Sequence, residues 1–196
     1  MSPARARTSS AEIVAAGRAL LEVGGLDAVT MQAVAERVSV RAPSLYKRLP
    51  NRAALVAAIG DATVDDLARD LAPLSGDPDA ASALRRIASA VRAFAAANPR
   101  AYELVFLRQP DESRPAAERT AAATAPVLSV VERMVGRERA LDAARLVTAF
   151  THGFVSMELN GTFRLGGDLD EAFRYGVDVL IAALSEGRGE GRSPSG

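Results

Sequence analysis

Residue types that often carry chemistry are scarce in this sequence, which has no cysteine, no tryptophan and a single histidine, His152. The absence of cysteine excludes disulfides, thiol catalysis and cysteine-ligated metals. A metal site at His152 would need carboxylates to complete it, and the acidic residues nearby do not have metal-ligand spacing. We therefore expect no metal and no cofactor.

Long apolar runs are also missing. No run approaches the roughly 18 residues that a membrane-spanning helix needs, and the basic residues near the N-terminus are not followed by the apolar segment of a signal peptide. We expect a cytoplasmic protein with no membrane partner. A chain of 196 residues with 48% hydrophobic residues can form one substantial core or two small domains.

A catalytic site is hard to assemble from these residues. A Ser-His-Asp set around His152 would require a free choice among the serines, because no nucleophile-elbow motif marks one of them. We interpret His152 as a buried or interfacial structural residue, with a role as catalyst or ligand contact as the alternative. We do not expect an enzyme.

The net charge is zero, but the charges are unevenly distributed. Residues 1–52 carry eight basic and four acidic side chains, a net charge of +4, while the remainder carries 16 basic and 20 acidic side chains, a net charge of −4. A basic N-terminal segment ahead of an acidic body is typical of a chain that meets nucleic-acid phosphates at one end.

Residues 30–52 have the pattern of two short helices joined by a tight connection. The apolar residues of the first helix recur at i, i+3, i+4 and i+7, and they are Met31, Val34, Ala35 and Val38. Thr30 precedes them in the position of an N-cap. A second helix is predicted to begin at about Ala42, because Pro43 fits the first turn of a helix, where its missing N–H needs no partner.

The second predicted helix leaves most of its polar side chains outside any core. Its apolar residues are Leu45 and Leu49, and the side chains left for solvent or a partner are Arg41, Ser44, Tyr46, Lys47 and Arg48. A short amphipathic helix, a turn and a second helix of this composition are typical of a DNA-reading helix-turn-helix. A helical hairpin with a solvated charged face has the same pattern, so the pattern alone leaves both interpretations open.

This segment resembles the DNA-binding domain of the TetR family of repressors. The family pattern runs from a threonine through an apolar residue, alanine and valine to Leu-Tyr and a basic residue that opens a longer helix. The matching residues are Thr30, Val34, Ala35, Val40, Leu45, Tyr46 and Arg52. Leu49, where the family often has phenylalanine, and Pro50 depart from it. The resemblance implies a homodimer that places two recognition helices in successive major grooves of a palindromic operator.

Roles at DNA follow for two sets of side chains. The predicted phosphate contacts are Thr30, Lys47 and Arg52. The predicted groove-facing residues are Arg41, Ala42, Pro43, Ser44 and Tyr46, and Arg41 is expected to pair with guanine O6 and N7. Residues 1–8 are predicted to be disordered, and their Arg5 and Arg7 either approach DNA or belong to a solubilising tail.

Helical periodicity continues through the rest of the chain, without a strand pattern or an internal repeat. Further helices are predicted at 9–23, 51–72, 77–97, 101–107, 115–135, 139–163 and 168–185, with a loop at 108–114. We expect an all-α protein of about nine helices. Its parts are a helix-turn-helix domain at 1–52 with a linking helix at 51–72, a helical ligand-binding and dimerisation domain at 53–186, and a disordered tail at 187–196.

The sequence Thr151-His152-Gly153 resembles the motif of a TetR subgroup named after Trp-His-Gly, with threonine in place of the tryptophan. This resemblance implies that the last two long helices form a four-helix bundle with those of a second copy, and that a small-molecule inducer binds in this domain. The bulky side chains suited to an inducer pocket are Phe94, Tyr102, Phe106, Met134, Phe150, Phe154 and Met157. Alternatively, these residues fill the core.

The combined prediction is a sequence-specific, DNA-binding transcriptional repressor that an apolar or partly apolar small molecule releases from its operator. An activator of the same family is one alternative. The other is a helical small-molecule-binding protein or enzyme whose basic N-terminal hairpin contacts another protein.

Overall fold

The computed structural model describes residues 8–107 and 115–186, and all regular secondary structure in these ranges is helical. The nine α-helices are α1 Ser10–Gly24, α2 Met31–Arg37, α3 Ala42–Tyr46, α4 Arg52–Leu71, α5 Ala80–Ala97, α6 Pro99–Tyr102, α7 Ala117–Val135, α8 Arg137–Leu159 and α9 Leu169–Glu186. A π-helical turn follows α6 at Glu103–Leu107. The predicted all-α fold of about nine helices is confirmed for the described residues.

The described residues form two compact units, and the division between them falls within α4, after Val64. The first unit contains residues 8–64 together with 98–107 and 115–116. The second unit contains residues 65–97 and 117–186. The boundary between functional domains at residues 52 and 53 remains a prediction, because the division into compact units does not test it.

The core of the first unit lies where α1, α2, α3 and the first half of α4 meet. Its members include Ile13, Leu21, Val29, Met31, Val34, Leu45, Leu55, Val56 and Ile59. Gly17 permits close packing of α1 on α4, since a Cβ at this position would lie 2.9 Å from Cδ1 of Ile59. Ala101 and Leu104 also belong to this core, although they follow α5 in the chain.

Side chains cap the starts of two helices of the first unit, α1 and α4. The Ser9 hydroxyl accepts a hydrogen bond from the Glu12 N–H at 3.1 Å, and the Glu12 carboxylate accepts one from the Ser9 N–H at 2.6 Å, which completes a capping box. The Asn51 side chain accepts from the N–H of Ala54 at 2.8 Å at the start of α4. These local bonds satisfy amides that the helix itself leaves unpaired.

The second unit packs α5, α7, α8 and α9 around a larger core. Its buried side chains include Leu84, Ile87, Val91, Phe94, Val127, Val130, Val131, Met134, Val147, Val155, Phe173, Val177 and Ile181. Pro126 lies inside α7. An aromatic cluster links α8 to α9, with the ring centroids of Phe150 and Phe173 5.9 Å apart and those of Phe154 and Phe173 5.1 Å apart.

Two helix ends in the second unit differ from the prediction by three residues or more. Helix α5 begins at Ala80 rather than at residue 77, because Asp77 accepts the N–H of Asp79 in a turn and Asp79 accepts the N–H of Ala81 as the cap. Helix α8 ends at Leu159 rather than at residue 163. It ends there because Gly161 adopts φ 61°, outside the helical range.

The predicted disordered segments at 1–8 and 187–196 and the predicted loop at 108–114 lie wholly or almost wholly outside the described residues. In the part of the chain that the structure covers, no helix combines the length and the hydrophobicity needed to cross a membrane.

Candidate DNA-binding interface

The turn between α2 and α3 is held by backbone hydrogen bonds. Thr30 caps α2, since its hydroxyl accepts the N–H of Ala33 at 3.1 Å. At the other end of α2, the N–H of Val40 donates to the carbonyl of Ala35 at 2.9 Å and that of Ser39 to Glu36 at 3.1 Å. This is the hydrogen-bond pattern of a Schellman motif, and its left-handed position is occupied by Ser39 with φ 54° instead of the usual glycine.

Helix α3 is a single short helix anchored by one residue. Leu45 is fully buried in the first unit's core, whereas Arg41, Pro43 and Ser44 are exposed. Arg41 occupies the N-cap position in an extended conformation, φ −80° and ψ 139°, and Pro43 lies in the first turn. The anchored leucine therefore fixes which side of α3 faces the core, and the other side is left to solvent.

The predicted groove-facing residues lie together on this helix. Arg41, Pro43, Ser44 and Tyr46 are exposed, and half of the Tyr46 side chain is accessible to solvent. Ala42 differs from them because it is partly buried and packs against the core.

The predicted phosphate contacts have different surroundings. Lys47 is exposed directly after α3. Arg52 donates from Nε to the carbonyl of Val29 at 2.7 Å and from Nη2 to the carbonyl of Leu26 at 2.6 Å. Arg52 thus fastens the start of α4 to the segment before α2. Thr30 uses its hydroxyl oxygen as the helix cap, which leaves the hydroxyl hydrogen as a donor.

The helix-turn-helix segment also carries exposed side chains that were not among the predicted DNA contacts. Arg37 is exposed at the end of α2, and Arg48 is exposed two residues after α3. On α2, Nε2 of Gln32 donates to Oε1 of Glu36 at 2.7 Å, so these side chains form a polar pair on the exposed face. The sequence indicates that Gln32 and Glu36 are exposed, because they lie opposite the apolar stripe of α2.

A contact from α1 to α6 within the first unit was not predicted. Glu22 of α1 accepts hydrogen bonds from the N–H groups of Arg100 and Ala101, at 3.2 and 2.9 Å, and so caps the start of α6. Arg18 of α1 also donates to Oδ1 of Asn98 at 2.9 Å. No periodicity in the sequence links residues that are nearly 80 positions apart.

The predicted inducer-pocket residues are divided between the two units. Tyr102 and Phe106 belong to the first unit, where their ring centroids are 4.8 Å apart. The remaining members belong to the second unit, and they are Phe94, Met134, Phe150, Phe154 and Met157. Phe94 and Met134 are buried, Phe150 and Phe154 are partly buried with centroids 6.0 Å apart, and Met157 is exposed.

His152, which the sequence interpretation assigned a structural role, is partly buried on α8. Burial lowers its pKa to about 4, so the imidazole is neutral near pH 7. Among the described residues, no group of three or more His, Cys, Asp or Glu side chains is arranged to hold a metal ion.

Comparisons with known proteins match both halves of the chain. Residues 13–59 match the model of bacterial regulatory proteins of the tetR family, and residues 84–180 match the tetracyclin repressor-like C-terminal domain. An HTH-type transcriptional regulator of Mycobacterium tuberculosis is 30% identical over 184 residues, which cover 91% of this chain and 83% of that protein. The HTH-type regulator YobS of Bacillus subtilis is 23% identical over 88% of this chain and 90% of its own length.

Solved structures agree with this assignment at the level of the fold. A Rhodococcus protein of unknown function has a TM-score of 0.77 at 20% identity, covering 94% of this chain and 100% of its own. A TetR variant from Acinetobacter baumannii in complex with minocycline has a TM-score of 0.68 at 23% identity, covering 92% and 98%. With the helix-turn-helix geometry, the two domain matches and the similarity to the mycobacterial regulator, the chain belongs to the tetR family of DNA-binding transcriptional regulators.

Proposed function

We propose that this regulator is a repressor that binds a palindromic operator as a homodimer and leaves it when a small molecule binds. The observation that carries the proposal is α3, in which one buried leucine anchors a helix whose arginine, serine and tyrosine side chains face solvent. A recognition helix needs this division, because its outer side has to enter the major groove while its inner side holds it to the domain.

The DNA contacts are proposed from the exposed side chains of this region. Arg41 begins α3 and is free to approach guanine O6 and N7, while Ser44 and Tyr46 offer hydroxyl groups on the same helix. Lys47 is proposed as a phosphate contact. Arg52 is proposed to do two things, since it supports the segment before α2 and keeps further N–H groups for a phosphate.

A mobility-shift titration with DNA flanking the protein's own gene tests these roles. Arg41→Ala is expected to lower discrimination by about 1–3 kcal/mol at one base position. Lys47→Ala is expected to weaken binding to all sequences alike and to reduce the salt slope by about one. The control is Arg69→Ala, at an exposed arginine on the second unit's part of α4. If Arg41→Ala and Lys47→Ala lose affinity equally for specific and random DNA, the assigned roles are wrong.

The homodimer is proposed from a face of α8 and α9 that carries exposed apolar side chains. On α8, Leu146 and Met157 are 48% and 46% exposed, and on α9, Tyr175 and Val179 are 74% and 48% exposed. Gly153 of α8 has open space where a Cβ would be. Apolar residues at helical spacing on two adjacent helices form a patch that a second copy can cover symmetrically.

Sedimentation analysis tests the homodimer directly. Wild-type protein is expected to sediment as a dimer at micromolar concentration, and Tyr175→Asp to shift it towards monomer, because a buried unpaired charge disfavours the interface. Tyr46→Asp, on α3, introduces the same charge at another exposed tyrosine and should leave the dimer intact. A wild-type monomer at this concentration would refute the dimer.

The inducer is proposed to be an apolar or partly apolar molecule that binds among the large side chains of the helical domain. Support comes from the supply of such side chains, of which Phe94 and Met134 are buried and Phe150 and Phe154 are partly buried. A ligand that prefers one conformation lowers operator affinity in proportion to its differential affinity for the two states. Helix α4 contributes residues to both units, and we propose it as the lever.

The proposed inducer is tested by measuring release of the protein from its operator. A panel of amphipathic small molecules, with minocycline as the first probe, would be titrated into the protein–operator complex. If a ligand binds and operator affinity stays unchanged, the proposed release mechanism is wrong. In-vitro transcription from the operator would distinguish repression from activation. A helical binding protein or enzyme without DNA function would show no specific retardation of the flanking DNA.

Three finer assignments belong to the same proposal. We assign the C-terminal domain to the Trp-His-Gly subgroup because Thr151-His152-Gly153 lies inside the matched segment 84–180. The functional domains are proposed to be 1–52, with a linking helix at 51–72, and 53–186. From its role at the operator, we also propose that the protein is cytoplasmic and has no enzymatic activity.

A further inference from the structure

A partly buried arginine ties the connection between α8 and α9 to α5. Arg92 of α5 is 18% exposed, and it donates from Nε and Nη2 to the two carboxylate oxygens of Glu158 at 2.7 and 2.6 Å. Its Nη1 lies 2.8 Å from Oδ1 of Asp170. Glu158 is in the last turn of α8 and Asp170 in the first turn of α9, so one guanidinium holds both sides of the connection.

Aromatic rings from the same two helices surround this guanidinium. The central carbon of Arg92 lies 5.0 Å from the ring centroid of Phe173 on α9 and 5.7 Å from that of Phe154 on α8. The hydrogen bond with Glu158, supported by Asp170, raises the pKa of Arg92 above its ordinary value. Arginine is suited to this position because its planar group can pair with a carboxylate by two hydrogen bonds and stack on rings at the same time.

The exposed apolar residues of the proposed dimer face belong to the helices that Arg92 joins. Met157 precedes Glu158 on α8, and Tyr175 follows Phe173 by two residues on α9. We propose that Arg92 is a positioning residue for the homodimer, fixing α8 against α9 so that their exposed faces form one self-complementary surface. This inference rests on the homodimer of the proposed function.

The electrostatics of the cluster explain why the arginine would matter for assembly. Without the guanidinium, the Glu158 and Asp170 carboxylates repel each other, and Glu158, 27% exposed, lies unpaired beside the phenylalanine rings. Separation of the α8 end from the α9 start relieves this repulsion. Because a two-fold interface uses the same patch from both copies, a changed angle between the helices disturbs the interface twice.

The test is a double-mutant cycle read out by the dimer dissociation constant from sedimentation equilibrium. Arg92→Gln is expected to raise that constant by at least about tenfold. Adding Glu158→Gln removes the unpaired carboxylate, so the double variant should recover a large part of the loss. The matched control is Arg85→Gln: Arg85 pairs with Asp178 of α9 at 2.6 Å, but both side chains are about half exposed, so a change within about twofold is expected.

The outcomes separate this inference from the homodimer itself. A monomeric wild type overturns both. If the wild type is a dimer and Arg92→Gln leaves the dissociation constant unchanged, only the role of Arg92 is overturned. The same holds if the double variant dissociates as readily as Arg92→Gln alone, because removing a charge would not rescue the loss of a side chain that only fills space. If Arg92→Gln does not fold, the single variant Glu158→Gln, which breaks the bidentate pair that ties α8 to Arg92, should still weaken the dimer several-fold, and an unchanged dimer there overturns the proposal.

Discussion

The core around α1 to α4 consists mainly of aliphatic side chains, whereas the second unit packs its helices around phenylalanine rings and one paired arginine. In the first unit, Ser9, Thr30 and Asn51 cap the starts of α1, α2 and α4. In the second unit, the hydrogen bonds of Arg92 with Glu158 join helices that are far apart in sequence. In the proposed function, the first unit supplies the recognition helix for DNA, and the second unit supplies the interior for the inducer and the surface for the second copy.

Leu104 comes after α5 in the chain but is 5% exposed in the core of the first unit, so this core also depends on a residue far away in sequence. Leu104→Ala is expected to lower the free energy of unfolding by about 3 kcal/mol, through lost burial and the cavity left behind. Hydrogen exchange should locate the loss in α1 to α4. The control is Leu165→Ala, at a fully exposed leucine, which should change stability by less than about 0.5 kcal/mol. Protection lost only in the second unit would contradict the assignment of Leu104.

A pH titration distinguishes the two units, because the one histidine lies in the second. Burial lowers the pKa of His152 from 6.5 to about 4 in the folded protein, so between these values the unfolded chain binds a proton that the folded chain does not. Stability therefore falls as the pH is lowered through this window, by up to about 3 kcal/mol at pH 4, and the contribution is constant above it. His152→Gln should remove this dependence in denaturant titrations. An identical pH profile for both proteins would show that the imidazole is protonated normally.

Close helix approach at glycine offers a third comparison. A Cβ at Gly176 of α9 would lie 2.3 Å from Cζ of the Phe150 ring, whereas one at Gly17 of α1 would lie 2.9 Å from the end of the Ile59 side chain. A ring cannot move aside as easily as a terminal methyl group, so Gly176→Ala is expected to lower the free energy of unfolding by about 2 kcal/mol. Gly17→Ala should lose less than about 1 kcal/mol, since the gain in helix propensity offsets part of the strain. Thermal unfolding that ranks the two variants in the opposite order would contradict this account.

How much could be predicted from the sequence follows the same division. The helix starts at Ser9 and Asn51 were predictable because the side chain and the amide it accepts are three residues apart. The place of Leu104 in the first core and the α6 cap from Glu22 were not predictable, since no local pattern encodes which distant elements meet. At the candidate site, the exposed side of α3 follows from the apolar pattern, but the carbonyl partners of Arg52 depend on tertiary folding.

The smallest expected effect concerns the turn between α2 and α3, where the first unit departs from its otherwise favourable local structure. Ser39 adopts φ 54°, a left-handed conformation that disfavours a side chain, and its N–H closes the Schellman motif on Glu36. Ser39→Gly removes the strain but increases the entropy of the unfolded chain, so a net stabilisation of about 0.5 kcal/mol is expected in denaturant titrations. Ser39→Val is the comparison variant, and it should destabilise because a β-branched residue is least tolerant of this conformation. Operator affinity of Ser39→Gly should stay within about twofold of wild type, because the backbone geometry that holds α3 is kept and the changed side chain has no proposed base contact. A loss of stability in Ser39→Gly would mean that the Ser39 side chain stabilises the folded state by more than its backbone strain costs.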